Sequence, residues 1–270
     1  MPEQIRCVLA ETIHQLDEAL SVRWRVFAAE MGLLPRRPPL VSRDLHAYDT
    51  LESTLHFVAY EGWTPVGTVR MLLPDPELAR DNGLRLGLDL ERKVDLGALA
   101  YPPVSLAEIS RVCILRPWRR SGVLMAMFQA MYAESRRLGL THWIGSANCD
   151  TDSIEDARIA CQLLRHKGLA SEQWRVYPRP FPPLPPARRP LYPPRARAQA
   201  RAGNLEGLRI PPLVMQYAEM LGALCMGEPV YEAHVGMCGI PIVVSLADIP
   251  QATLSAQDEA PRRAAALEAA

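Results

Sequence analysis

The chain has 270 residues, 49% hydrophobic and 22% charged, with 30 basic residues balanced by 30 acidic ones. That length buries a full core as one large domain or two small ones, and zero net charge argues against a nucleic-acid partner. The six cysteines (7, 113, 149, 161, 225, 238) form no C-x-x-C pair and no metal-ligand spacing with histidine, no apolar run reaches the roughly 18 residues of a membrane span, and the N-terminus has no signal character, so a soluble cytoplasmic protein without a metal is expected.

Residues 5–10 read as a short strand. Thr12 and Gln15 form a capping box, and Ile13, Leu16, Leu20, Trp24 and Phe27 keep helical spacing to about Met31. Residues 35–50 hold turn chemistry and little periodicity, which predicts a loop. Residues 55–60 and 66–73, joined by EGWTP, predict an antiparallel hairpin. A weakly patterned stretch with one short helix runs to Pro103, and a strand, a basic turn and an apolar helix over about 121–138 follow. Residues 141–147 read as a strand, 152–168 as an amphipathic helix closed by a glycine, and 173–178 as another strand. Nine prolines between 178 and 194 forbid regular structure and predict a Pro- and Arg-rich loop or flap to about 208. A helix over 211–222 begins after proline, and PVYEAHV and GIPIVVSL close the fold as strands. There is no repeat. The pattern predicts one α/β (α+β) layered domain over 1–250, with 251–270 a frayed tail.

The strand within SLAEISRVCIL, from Ser105 to Leu115, carries two charges in an otherwise core-like run. Ala107 and Ile109 share one face, and so do Val112 and Ile114, but the apolar phase slips across Ser110 and Arg111. Such a slip in a buried strand marks a β-bulge, which frees a backbone N–H and can bring Glu108 and Arg111 to one opening. A lone E-x-x-R is more often a structural ion pair. Here the strand runs into RPWRRSG and a helix starting near Ser121, whose N-terminal N–H groups can meet an anion or a thioester oxygen.

This arrangement resembles the GNAT acyltransferase fold, a mixed, mostly antiparallel sheet with flanking helices and a splayed central strand. The donor-binding pattern of that family stands here as Arg119-x-x-Gly122-x-Leu124. Leu124 occupies a place where a small residue lets the backbone approach a pyrophosphate, which favours a carrier other than acetyl-CoA. Four further motifs resemble those of acyl-homoserine-lactone synthases: Arg23 with Phe27, Asp44 with Asp49, Gly67 with Arg70, and Glu108 with Ser110 and Arg111. The tryptophan that those synthases place after the first helix is absent, with Leu33 nearby, which weakens S-adenosylmethionine as acceptor. The remainder, including IPPLVMQYAEMLGA, is similar to ornithine-lipid N-acyltransferases and N-acyl amino acid synthases, so the resemblance covers nearly all of residues 5–250.

The resemblance implies an N-acyltransferase that moves a long acyl chain from an acyl carrier protein thioester, or from acyl-CoA, to the amine of an amino acid. It binds no cofactor, and its lipid product would bring peripheral membrane contact. Glu108 would collect the ammonium proton through a water, in a polar pocket built with Arg70, Arg111 and Asp49. His56 is the alternative base, although a lone histidine is more often structural. Arg23, Phe27 and Ser110 would bind substrate, and an N–H near Val112 or Cys113 would take the thioester oxygen. An acyl-Cys113 intermediate is disfavoured by its apolar strand. Arg116, Arg119, Arg120 and Gly122 would meet the acidic carrier, helped by seven arginines between Gln173 and Arg201. Only Lys93 and Lys167 are lysines among the 30 basic residues, so part of the arginine excess reads as compositional bias. Met125, Met127 and Met131 read as core, or as the wall of an acyl tunnel. The rival readings are an autoinducer synthase, an acetyl-CoA-dependent GNAT and a non-enzymatic binder of lipid or carrier protein.

Overall fold

Alternating apolar residues in the N-terminal part build an antiparallel ladder. In the computed structural model, which describes residues 5–34, 42–180, 183–184 and 186–255, β1 (Ile5–Leu9) pairs with β2 (Thr54–Glu61) and β2 with β3 (Thr64–Leu72). The β2–β3 hairpin turns on Gly62 at φ 58°, a conformation that costs glycine little. The next strand beside β3 is β5 (Leu106–Ile114). Strands β1, β2 and β3 and the Ile109–Ile114 part of β5 belong to the first of two compact units, Met1–Leu72, Ile109–Leu140 and Leu246–Ala270; the second is Leu73–Glu108, which takes the first three residues of β5, and Thr141–Ser245.

In the first unit α1 (Ile13–Trp24) starts at the expected capping box. Thr12 Oγ1 accepts the Gln15 N–H at 3.2 Å, and Gln15 Oε1 accepts the Thr12 N–H at 3.2 Å. Ala19 of α1 packs with Val58 and Tyr60, and Val8 joins them. Ala59 and its partner Gly67 point to the other face, where α3 (Val123–Arg137) packs. A Cβ on Gly67 would meet Val123 Cγ1 at 2.6 Å, so close helix approach fixes that glycine. Past Trp24 the helix widens into a π turn over Arg25–Glu30. The regular spacing expected through Phe27 therefore fails there: Val26 and Ala28 are buried and Phe27 is half-buried. Of the expected loop, 35–41 lie outside the described residues and 42–50 are irregular. Residues Gln251–Ser255 form α7 against α3 rather than a frayed end, and 256–270 lie outside the described residues.

In the second unit β6 (His142–Asn148) pairs antiparallel with β10 (Met237–Ser245), which also pairs with β8 (Leu224–Cys225) and β9 (Val230–Glu232). Helix α4 (Ile154–His166) packs on β10 and β8, and α6 (Pro212–Leu221) packs on β6. The stretch after β3 forms α2 (Pro76–Asn82), two 3-10 turns (Leu90–Arg92 and Gly97–Ala100) and β4 (Val94–Asp95). Of the strand expected at 173–178, Tyr177–Pro178 form β7 against β4 and Val176 makes an isolated bridge to Gly227. Upstream, Trp174 N–H turns back to Ser171 Oγ at 2.8 Å, which takes that residue out of an extended run.

The Pro-rich segment also ends earlier than its prolines implied. Helix α5 (Pro194–Arg201) begins at the last proline, where the missing N–H is harmless, and continues on good helix formers. Arg197 of α5 grips Asp156 of α4 through Nε at 2.6 Å and Nη2 at 2.8 Å, and Asp156 is wholly buried. Arg201 pairs with Glu155 at 2.6 Å. These arginines are fasteners within the unit, not free surface charge. Arg197→Ala strands the Asp156 carboxylate and should cost about 3–5 kcal/mol in denaturant titration; an unchanged midpoint would show the pair to be idle.

Candidate active site

A buried polar cluster forms in the first unit on the sheet face that α1 covers. His56 and Arg70 are cross-strand partners on β2 and β3, and Arg23 descends from the last turn of α1. Asp49, on the irregular segment before β2, is their hub. Its Oδ1 accepts from Arg23 Nη1 at 3.1 Å and from Arg70 Nη1 at 3.0 Å. Its Oδ2 accepts from Arg23 Nη2 at 2.5 Å and from the His46 N–H at 2.6 Å. Burial pushes the Asp49 carboxyl up, but the charges and hydrogen bonds of Arg23 and Arg70 outweigh it and hold it at about 2. Arg23, Arg70 and Asp49 are almost completely enclosed, so removing any one leaves the others buried and charged.

His56 Nε2 lies 3.0 Å from the Asp49 carbonyl oxygen, which assigns the proton to Nε2. Its Nδ1 is buried with no hydrogen-bond partner among the described residues. Burial pushes the ring down to about 4, so it stays neutral at pH 7 and is a weak base. The geometry gives His56 a clear part in holding the backbone of Asp49.

The backbone breaks where the phase slip predicts. Arg111 lies at φ 55°, one of two non-glycine residues with positive φ among those described. Arg70 Nε donates to Ser110 Oγ at 3.0 Å. The ion pair of Arg111 is with Asp44, Nε to Oδ2 at 3.2 Å, and Asp44 also faces Arg23 Nε at 3.3 Å. The Arg111 guanidinium stands 5.9 Å from the Phe27 ring, and its Nη2 is buried with no hydrogen-bond partner among the described residues. Phe27 packs with Val22, Val26, Cys113 and Leu115. Burial pushes the Cys113 thiol up to about 12, so it is no nucleophile at neutral pH.

After β5 the basic turn enters α3 through Gly122, whose φ of 83° favours glycine. Arg116, Arg119 and Arg120 are exposed. Arg119 is tied down, however, by an ion pair to Glu30 and by Nε to the Ile114 carbonyl at 3.1 Å. Trp118 Nε1 donates to Glu61 at 2.8 Å and pins the turn to the hairpin tip. Arg116 and Arg120 keep their charge uncommitted to any carboxylate among the described residues.

Glu108 belongs to the second unit. Its Oε2 accepts the Leu90 N–H at 2.8 Å, from the 3-10 turn that follows Asp89. Lys93, at the end of that turn, pairs with Asp89 at 2.9 Å and with Glu232 of β9 at 2.7 Å. The same turn borders a cavity of about 600 Å³ lined in part by Glu91, Asp95, Tyr101 and Arg179. Sequence reasoning missed the ion-pair group of Lys93, Asp89 and Glu232 beside the turn that holds Glu108. The available signal was Lys93 itself, a lysine in a chain that otherwise uses arginine. Among the described residues no group of three or more His, Cys, Asp or Glu is placed to hold a metal, and no helix is long and apolar enough to cross a membrane.

Residues 22–129, which contain the Arg–Asp cluster, the broken strand and the turn into α3, match the acetyltransferase (GNAT) domain family. The match covers less than half of the chain. Its named relatives include an L-ornithine N(alpha)-acyltransferase of Agrobacterium fabrum, 28% identical over 174 residues, covering 62% of this chain and 58% of the relative. The enzyme of the same name from Rhizobium meliloti is 26% identical over 180 residues, covering 64% and 59%. The chain thus spans about three-fifths of the length of these curated relatives. Among solved structures, FeeM, an N-acyl amino acid synthase from uncultured soil microbes, aligns at a TM-score of 0.50 and 10% identity over 92% of this chain and 93% of its own. TofI, solved in a ternary complex with an inhibitor and MTA, aligns at 0.50 and 16% identity over 92% and 96%. These two alignments share the fold.

Proposed function

We propose that the protein is an N-acyltransferase that moves an acyl group from a carrier thioester to the amine of an amino acid. The observation that carries the reading is Arg111: a buried guanidinium, fixed by Asp44 through Nε, with Nη2 unpartnered. A buried donor left unmet costs about 1–3 kcal/mol or more when charged, and an acceptor's carboxylate would satisfy it. The N–H of Val112 or Cys113, next to the left-handed residue Arg111, is our candidate donor to the thioester oxygen. A free amino acid is mostly ammonium at neutral pH, and Glu108 takes that proton. The amine then attacks the carbonyl carbon directly, the C–N bond forms, the C–S bond breaks, and the thiol leaves with a proton. Ornithine, named for the relatives, is the first acceptor to test.

Leu124 and the basic turn favour an acyl carrier protein over CoA as donor. Arg116→Glu with Arg120→Glu should raise KM for the carrier-bound donor, flatten its salt dependence and spare kcat. Arg119 is unsuited to this test, since its reversal breaks the Glu30 pair. Comparing kcat/KM for long-chain acyl carrier protein, long-chain acyl-CoA and acetyl-CoA decides the donor. Equal values for carrier protein and acetyl-CoA would overturn the carrier assignment.

A further inference from the structure

We propose that Lys93 is a positioning residue for Glu108: its ammonium, locked between Asp89 and Glu232, supplies the positive charge beside which Glu108 works as a base. The inference rests on the reading of Glu108 as that base. The Leu90–Arg92 turn with its flanking Asp89 and Lys93 does two things at once. Its Leu90 N–H holds Glu108 Oε2 at 2.8 Å, and its last residue, Lys93, reaches Asp89 at 2.9 Å and Glu232 at 2.7 Å. The orientation of the carboxylate and the location of the nearest lysine charge are therefore set by the same piece of backbone.

The choice of residue type points the same way. Among 30 basic residues the chain has two lysines, and Lys93 is the one whose side chain is 20% exposed between carboxylates. A compact ammonium fits between two oxygens on different elements, where the planar fork of arginine would have to push one away. Burial pushes Lys93 down, but the charges of Glu232, Asp89 and Glu108 outweigh it and raise it, so it stays charged through the whole working range. The other ionisable groups nearby are accounted for. Glu91 spends its oxygens on the N–H groups of Arg85, Leu86 and Leu88, His234 Nδ1 lies 3.8 Å from Glu232, and Arg111 sits three residues along β5. Glu232 Oε1 is buried with no hydrogen-bond partner among the described residues, and its Oε2 takes the Lys93 ammonium at 2.7 Å.

The sign of the effect follows. Lys93 is the ammonium on which Glu232, Asp89 and Glu108 all act, so its removal takes a favourable charge from Glu108 and leaves only like charges in its place, and such a carboxyl keeps its proton to higher pH. Lys93→Met should move the acid limb of the kcat–pH profile upward by about one pH unit or more, with kcat recovering above it. Glu232→Gln removes a negative charge and is nearly isosteric, so it should move the limb in the opposite direction. Both profiles are to be measured beside Glu108→Gln on the full chain. Opposite limb shifts support the assignment, because a merely structural Lys93 would lower stability and leave the limb alone. An unmoved limb in Glu232→Gln and in Lys93→Met, with Glu108→Gln inactive, overturns the role of Lys93 alone. If Lys93→Met does not fold, Lys93→Arg replaces it: the limb should stay in place while kcat falls, and a displaced limb contradicts the proposal. Normal turnover in Glu108→Gln overturns the reading of Glu108 first.

Discussion

Glu108→Gln is expected to lower kcat by about a hundredfold or more, the usual weight of general-base assistance. The near-isosteric amide keeps an oxygen for the Leu90 N–H, so the bond at 2.8 Å can survive and the melting temperature should hold. Loss of turnover with a preserved fold is the signature of chemistry. The opposite pattern, a large fall in melting temperature with near-normal activity in the folded fraction, would make Glu108 a structural counter-ion. His56 would be a poor replacement base, since burial already pushes it down to about 4.

The second large effect belongs to Asp49. Asp49→Asn removes the charge that Arg23 and Arg70 share in a fully enclosed site, and breaking such a cluster from one side should cost about 3–5 kcal/mol. The same residue makes a pH signature. Its carboxyl sits at about 2 in the folded protein, below the roughly 3.9 of an unfolded chain. A lowered folded value means that its contribution, on the order of 2–3 kcal/mol, is fully present above about pH 5. It is lost as pH falls toward 2. Denaturant midpoints between pH 5 and 2.5 should therefore decline in the wild type more steeply than in Asp49→Asn. Parallel declines would show that Arg23 and Arg70 do not hold Asp49 in its ionised state.

Where local chemistry is periodic, the chain was readable without coordinates. The capping box at Thr12, the β2–β3 hairpin, and α3 and α4 sit within a few residues of their expected places, because each buries a regular apolar stripe. The exceptions are elements that contacts create. The π turn at Arg25–Glu30 breaks a 3.6-residue pattern that the side chains alone would continue, and its last residue, Glu30, meets Arg119 from 89 positions away. Helix α5 is held by Arg197 reaching a buried carboxylate 41 residues back, a pairing that no local pattern announces.

The site divides in the same manner. Arg23, Asp49 and Arg70 stood out through the family motifs, and the structure gathers them with Asp44 and Arg111; Arg111 stood out because a charge inside an apolar run is expensive. Glu108 stood out for the same reason. Its surroundings did not, because Asp89 and Lys93 lie on an aperiodic stretch and Glu232 on a three-residue strand far along the chain.

The central claim is transfer of an acyl group to an amine, and mass spectrometry of the purified protein's reaction tests it most directly. Long-chain acyl carrier protein is supplied with ¹⁵N-labelled ornithine, and in parallel with ornithine methyl ester. The account predicts a labelled N-acyl amino acid and one equivalent of free carrier thiol, with the ester a much poorer acceptor because Arg111 loses its carboxylate. Release of free fatty acid without labelled amide, or no consumption of any thioester, would contradict it.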